Sequence, residues 1–163
     1  MEDKENCGLD KLKKAYLELQ EKLNLPSFDN LNEDFSIERL ADLETDFLLR
    51  EIRHLILEKI ANYMRFLESV INPANASLFV FSFLKTLDSE KKKVLEESFK
   101  KIMKLEMSSI ELDLKYSEEK ETLFINDVYK IWKEVQGDLL QVLDHANQNW
   151  DKKLDNGSKG YFN

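Results

Sequence analysis

Glycine and proline are scarce in this chain, with four and two among 163 residues. Gly8, Gly157 and Gly160 lie near the ends, so between Leu9 and Asn156 only Gly137, Pro26 and Pro73 remain. Sheets need many tight turns, and turns recruit Gly and Pro for backbone reasons. So few of them over such a length predicts few, long elements, which means an all-α fold. Cysteine is nearly absent too. Cys7 stands alone, which excludes an internal disulfide and fits a reducing, cytoplasmic compartment. Positive charge is in deficit, with 24 Lys and Arg against 32 Asp and Glu, a net charge of −8. An acidic chain lacks the basic footprint that nucleic acids require, and it is repelled by anionic membrane surfaces.

Long apolar runs are missing as well. The densest, Ala76–Leu84 in NPANASLFVFSFLKTLD, is far short of the roughly 20 residues that span a bilayer. The start, MEDKENCGLDKLKK, has no apolar signal core. Asn75-Ala76-Ser77 and Asn156-Gly157-Ser158 match the glycosylation acceptor pattern and are taken as chance. Nowhere is there a Gly-rich phosphate loop, a G-x-S-x-G, a Cys-x-x-Cys or a paired-histidine zinc motif.

What is present is helical periodicity. Apolar residues make up 42% of the chain, enough for a core, and charged residues 34%, which suits solvent-facing helix surfaces. Leu9, Leu12, Tyr16, Leu19 and Leu23 form a narrow seam that predicts a helix over 9–24, ended by Leu25-Pro26. Residues 26–35 read as a loop anchored by Phe28 and Leu31. Ser36 is placed to cap a helix over 36–71, with Phe35 and Leu40 as a hydrophobic staple. Asn72-Pro73 opens a short helix over 73–87, apolar nearly all round and therefore expected to be buried. Asp88-Ser89 starts a helix over 89–115. Ser117, followed by Glu118 and Glu119, starts another over 117–149, with Gly137 allowing a bend or a close helix crossing. The expected architecture is one helical-bundle domain over 1–150, built on the three long helices 36–71, 89–115 and 117–149. Helix 73–87 is buried in it, helix 9–24 lies along a groove, and 151–163 is a flexible polar tail.

The 36–71 segment is apolar on two sides. Leu48, Leu49, Ile52, Leu55, Ile56, Ile60, Tyr63, Phe66, Leu67 and Val70 form a broad face. Leu40, Leu43, Phe47, His54, Leu57, Ala61, Met64 and Ile71 lie nearly opposite. A helix apolar on two sides is central in a bundle or carries a partner. Leu43, Phe47, His54, Leu57, Ala61 and Met64 are therefore the expected interface, either with a second copy in a homodimer or with another protein's helix.

Chemistry-bearing residues are few. Glu51-Ile52-Arg53-His54 is a Glu-x-x-His, the spacing of carboxylate-bridged metal bundles, which use two such motifs and two more glutamates. The chain has one. His145, the only other histidine, lacks a matching Glu, so the simpler assignment makes His54 a polar interruption in a packing seam. The alternative is a metal–carboxylate enzyme using Glu51 and His54, with Glu44 or Glu58. In a symmetric interface, His54 facing Glu51 and Glu58 would tune association near pH 6.5. Lys59, within the broad face, either packs its stem and frees its head or pairs with a carboxylate from 29–34. Lys91, Lys92, Lys93, Lys100, Lys101 and Lys104 interleave with Glu90, Glu96, Glu97 and Glu106, ordinary support for an exposed helix face. Cys7 has no nearby histidine or cysteine to lower its pKa. The expectation is a non-enzymatic interaction or scaffold protein, without cofactor, nucleic acid or membrane.

Overall fold

In the computed structural model, residues 2–158 are described, with side chains from 7 to 150. The fold is all-α, and no strand occurs among the described residues. Among the described residues, six α-helices follow in order: α1 (Glu2–Leu23), α2 (Phe28–Phe35), α3 (Leu48–Ile71), α4 (Leu78–Thr86), α5 (Ser89–Leu114) and α6 (Glu118–Ser158). Single 3₁₀ turns occupy Ile37–Leu40 and Pro73–Asn75.

Capping explains most of the boundaries. The Asp88 carboxylate accepts from the Lys91 N–H at 2.8 Å where α5 begins, and the Ser117 hydroxyl accepts from the Lys120 N–H at 3.3 Å where α6 begins. Both stand where the sequence placed a helix start. Helices α5 and α6 are thus separate despite the absence of Gly or Pro between them. Asn24, left-handed at φ 53°, closes α1 two residues before Pro26.

Several expectations are corrected. Helix 9–24 begins at Glu2, which places Cys7 on a helix. The 26–35 loop contains α2, capped by Ser27, whose hydroxyl accepts from the Asn30 N–H at 3.2 Å. Its Phe28, Leu31 and Phe35 are buried at helical spacing, a pattern masked by the Asp and Asn between them. Ser36 caps no long helix. It is left-handed (φ 53°, ψ 48°), and its N–H closes α2 onto the Asn32 carbonyl. Helix 36–71 therefore begins only at Leu48. Asp42, Thr45 and Asp46 occupy the missing turns, and such side chains compete with helix by bonding local backbone, as the Thr45 hydroxyl does with the Phe47 N–H. Helix 73–87 shrinks to α4, and it is not sealed. Val80, Phe83 and Thr86 are buried, while Leu78, Phe79 and Phe81 are 85%, 58% and 43% exposed. Nine residues turned inward by one face leave the other face in water. Helix 117–149 extends to Ser158, and residues 159–163 of the expected tail lie outside the described residues.

The chain divides into two compact units, Met1–Ala61 with Leu105–Lys130, and Asn62–Lys104 with Ile131–Asn163. In the first, Tyr16, Leu31, Ile37, Ile52, Ile56 and Ile125 are fully enclosed. The Tyr16 hydroxyl donates to the Pro26 carbonyl at 2.6 Å, and its ring meets Phe28 edge-on at 5.7 Å. In the second, Leu67, Leu95 and Ile102 are buried, Trp132 meets Tyr63 edge-on at 4.9 Å, and Phe83 packs 5.7 Å from Phe66.

Candidate interaction surface

A broad concavity lies in the first unit, between α1 and residues 40–48. It is a half-open groove of about 1010 Å³. From α1 it is lined by Gly8, Lys11, Leu12, Ala15, Glu18, Leu19 and Lys22, which recur at the 3,4 spacing of one helical stripe. Leu40, Asp42, Leu43, Glu44 and Leu48 line the other wall. Gly8 sets how closely the walls approach at one end. A Cβ there would sit 2.8 Å from the Ala41 carbonyl oxygen, a distance no side chain tolerates, so only glycine permits the contact. Cys7 is a free, exposed thiol at the same end.

The six residues expected at an interface have separate fates. Leu43 lines the groove and is 48% exposed. Phe47, 45% exposed, meets the Tyr116 ring edge-on at 5.2 Å, and the Arg50 guanidinium lies over both rings at 5.0 and 4.7 Å. His54 is exposed, with Nδ1 3.5 Å from Glu51 Oε2 and Nε2 3.7 Å from Asp113 Oδ1. Leu57, Ala61 and Met64 are half-buried. Leu43 and Phe47 precede α3, so the six do not form one helical stripe. Glu58 pairs with Arg39 at 3.1 Å. The Lys59 ammonium donates to the Asp34 backbone carbonyl and lies 5.9 Å above the Phe35 ring, so its head is held by the segment from which a carboxylate partner was expected. Glu51 and His54 adjoin as their spacing dictates. Among the described residues, however, no three His, Cys, Asp or Glu side chains are grouped as a metal ion would require.

One polar cluster escaped sequence reasoning. Arg53 is wholly buried. Its Nε donates to Glu121 Oε2 at 2.9 Å, one terminal nitrogen donates to the Ser109 hydroxyl at 2.7 Å, and the other donates to Asp113 at 2.7 Å. Glu121 is equally buried, and its Oε1 has no hydrogen-bond partner. The adjacent guanidinium holds the Asp113 carboxyl below its usual range. Register would have found the cluster. Arg53 continues the core row Leu49, Ile56 and Ile60, Ser109 the row Leu105 and Leu112, and Glu121 the row Ile125, Val128 and Trp132. The three central residues of this cluster thus occupy core positions and form a hydrogen-bonded polar layer.

No helix among the described residues is long and apolar enough to cross a membrane. The arrangement defines an all-α protein with an open, apolar-floored groove. Comparison with family models, curated proteins and solved structures found no match.

Proposed function

We propose that this chain is a non-enzymatic adaptor that works by binding protein. The observation that carries the reading is the half-open groove of about 1010 Å³ between α1 and residues 40–48, with Leu12, Leu19, Leu40 and Leu48 along it and charged residues beside them. A shallow trough with helix-spaced apolar positions suits the apolar face of another helix, whose anchors recur at i, i+3, i+4 and i+7. The polar side chains that the fold brings together are engaged with one another. Arg53, Ser109, Glu121 and Asp113 hold one another, and His54 contacts Glu51 and Asp113. The single cysteine fits action in a reducing compartment.

Self-association is the second reading. Met107, Ile110 and Leu114 stand in one row on α5 and are 71%, 56% and 84% exposed, apolar surface of the kind that copies of a chain cover in each other. One experiment addresses both readings. Ala15 and Leu43 are exposed groove residues, so Ala15→Trp and Leu43→Asp change the trough and spare the core. A protein captured by the wild-type chain, identified, purified and shown to rebind it but not these two variants supports the adaptor reading. Identical capture by all three chains removes it. Sedimentation of the same samples at a dimer's mass, unaffected by both substitutions, would move the weight to the α5 row.

A further inference from the structure

We infer that the groove takes an amphipathic helix of a partner protein whose apolar stripe is edged with lysine or arginine, an inference that rests on the adaptor reading and specifies the partner. The charges on its walls carry it. Five ionisable side chains of fixed charge line the trough: Lys11, Glu18 and Lys22 from α1, and Asp42 and Glu44 opposite. Lys22 is engaged by Glu118 at 3.2 Å. Among the described residues that leaves Glu18, Asp42 and Glu44 against Lys11, and both charged residues of the wall opposite α1 are acidic. Carboxylates beside an apolar floor with low-dielectric walls focus negative potential into the trough. Matching potential across an interface speeds encounter and rejects the wrong partner more than it adds affinity.

Size and charge narrow the occupant. From Gly8 to Lys22 the α1 wall runs about 21 Å at 1.5 Å per residue, the length of about four helical turns. The volume of about 1010 Å³ stands at the upper edge of the roughly 300–1,000 Å³ of small-molecule sites, and the trough is open where such sites enclose their ligand. Phosphate-bearing ligands and anionic lipid surfaces meet the same acidic wall and are repelled. A second copy of the chain does not supply the occupant. Its exposed α5 row, Met107, Ile110 and Leu114, is flanked by Glu106, Glu111 and Asp113 against Lys104 and Lys115, and so lacks the excess of positive charge that this wall favours.

The test uses the full chain and three fluorescein-labelled synthetic peptides of about 16 residues. The first has a leucine stripe edged by lysine, the second the same stripe edged by glutamate, and the third the first peptide's composition in scrambled order. Fluorescence anisotropy at near-physiological salt should show the lysine-edged helix binding at least tenfold more tightly than either of the others. Asp42→Lys with Glu44→Lys should reverse the preference between the two amphipathic peptides, and Ala15→Trp should abolish binding with the circular dichroism unchanged. Equal binding of both amphipathic peptides, lost in Ala15→Trp, would sink the charge inference and leave the adaptor reading standing. Binding of the scrambled peptide as tightly as the first, or lysine-edged binding that survives Ala15→Trp, would mean that net charge rather than the groove attracts the peptide. Either outcome overturns the inference, as does no binding at all.

Discussion

At the scale of single residues, two glycines show how one residue type serves opposite ends. Both lie inside helices, where glycine costs about 1 kcal/mol relative to alanine through backbone entropy. At Gly137 an added Cβ meets nothing within 4 Å, so no close crossing requires the glycine, contrary to one sequence expectation. Gly137→Ala should therefore stabilise the protein by about 0.5–1 kcal/mol, read as a higher urea midpoint with unchanged slope. At Gly8 the same methyl would press on backbone, the Ala41 carbonyl oxygen at 2.8 Å, which cannot swing aside as a side chain would. Gly8→Ala gains the same propensity and yet should lower the midpoint, because α1 must retreat from residues 41–42. If both substitutions raise the midpoint alike, the tight approach at the groove's end is wrong. Nothing in composition distinguishes these two glycines. The difference lies in what stands opposite each, which no local pattern records.

At the scale of elements, legibility followed the strength of the local signal. Helices α5 and α6 are readable at their starts, because Asp88 and Ser117 stand directly before long 3,4 patterns, but the apolar pattern of α5 includes Ile110 and Leu114, which the structure leaves exposed. The start of α3 was misplaced by 12 positions, at residue 36 instead of Leu48, because the chain breaks there with Asp and Thr rather than Gly or Pro. Helix α2 was hidden by the acidic and amide residues that separate its buried Phe28, Leu31 and Phe35. The apolar richness of α4 was legible, but its burial was not, since burial depends on how many neighbours surround a helix. The groove is not legible in the sequence, where Leu43 reads as part of a seam on a helix over 36–71 and helix 9–24 as filling a groove rather than walling an open one. Its α1 wall was not singled out. The polar layer is hidden in the sequence because Arg53 lies inside the Glu51–His54 motif, which draws attention from its place in the core row. That layer makes a prediction about how α3, α5 and α6 come together in the first unit. Arg53→Met strands the Glu121 carboxylate in the core and should cost about 3–5 kcal/mol. Arg53→Met with Glu121→Leu removes both charges and should recover most of that loss. Recovery with sharp unfolding and an unchanged slope would mean that the ion pair adds little net stability. Recovery with a shallow, gradual transition would mean that the pair fixes the register of the three helices. A single-substitution cost under 1 kcal/mol would contradict the burial of the pair.

At the scale of the whole molecule, the titrating groups set a window of stability. On the acid side, three carboxyls lie below their ordinary values. Asp88 (ordinarily 3.8) is lowered chiefly by the Lys91 N–H, Glu111 (4.5) by Lys120, and Asp113 (3.8) by Arg53. Groups depressed in the folded state lend stability that is present above their ordinary values and lost as the pH falls through the folded ones. The acid limb should therefore begin below about pH 4.5, while milder acidification only relieves the self-repulsion of a chain with a net charge of −8. On the alkaline side, the buried Tyr16 hydroxyl is raised far above 10.0 by desolvation, and Lys101 is raised from 10.5, most by its hydrogen bond to Glu134. Raised groups lend stability that is complete below their ordinary values and is lost as the pH climbs toward the folded ones, because the unfolded chain gives up these protons first. Stability should thus be nearly level from about pH 5 to 9 and fall above about 10, by up to about 1.4 kcal/mol per pH unit for the buried Tyr16, while the solvent-screened Lys101 adds little. Tyr16→Phe isolates one contributor. At neutral pH it loses the hydrogen bond to the Pro26 carbonyl, a cost of about 1 kcal/mol. Between pH 10 and 11 it should flatten the alkaline limb of the urea midpoint and leave the acid limb untouched. An alkaline limb equally steep in wild type and Tyr16→Phe would show that this hydroxyl reaches solvent, and would undo the placement of α1 against the Pro26 segment.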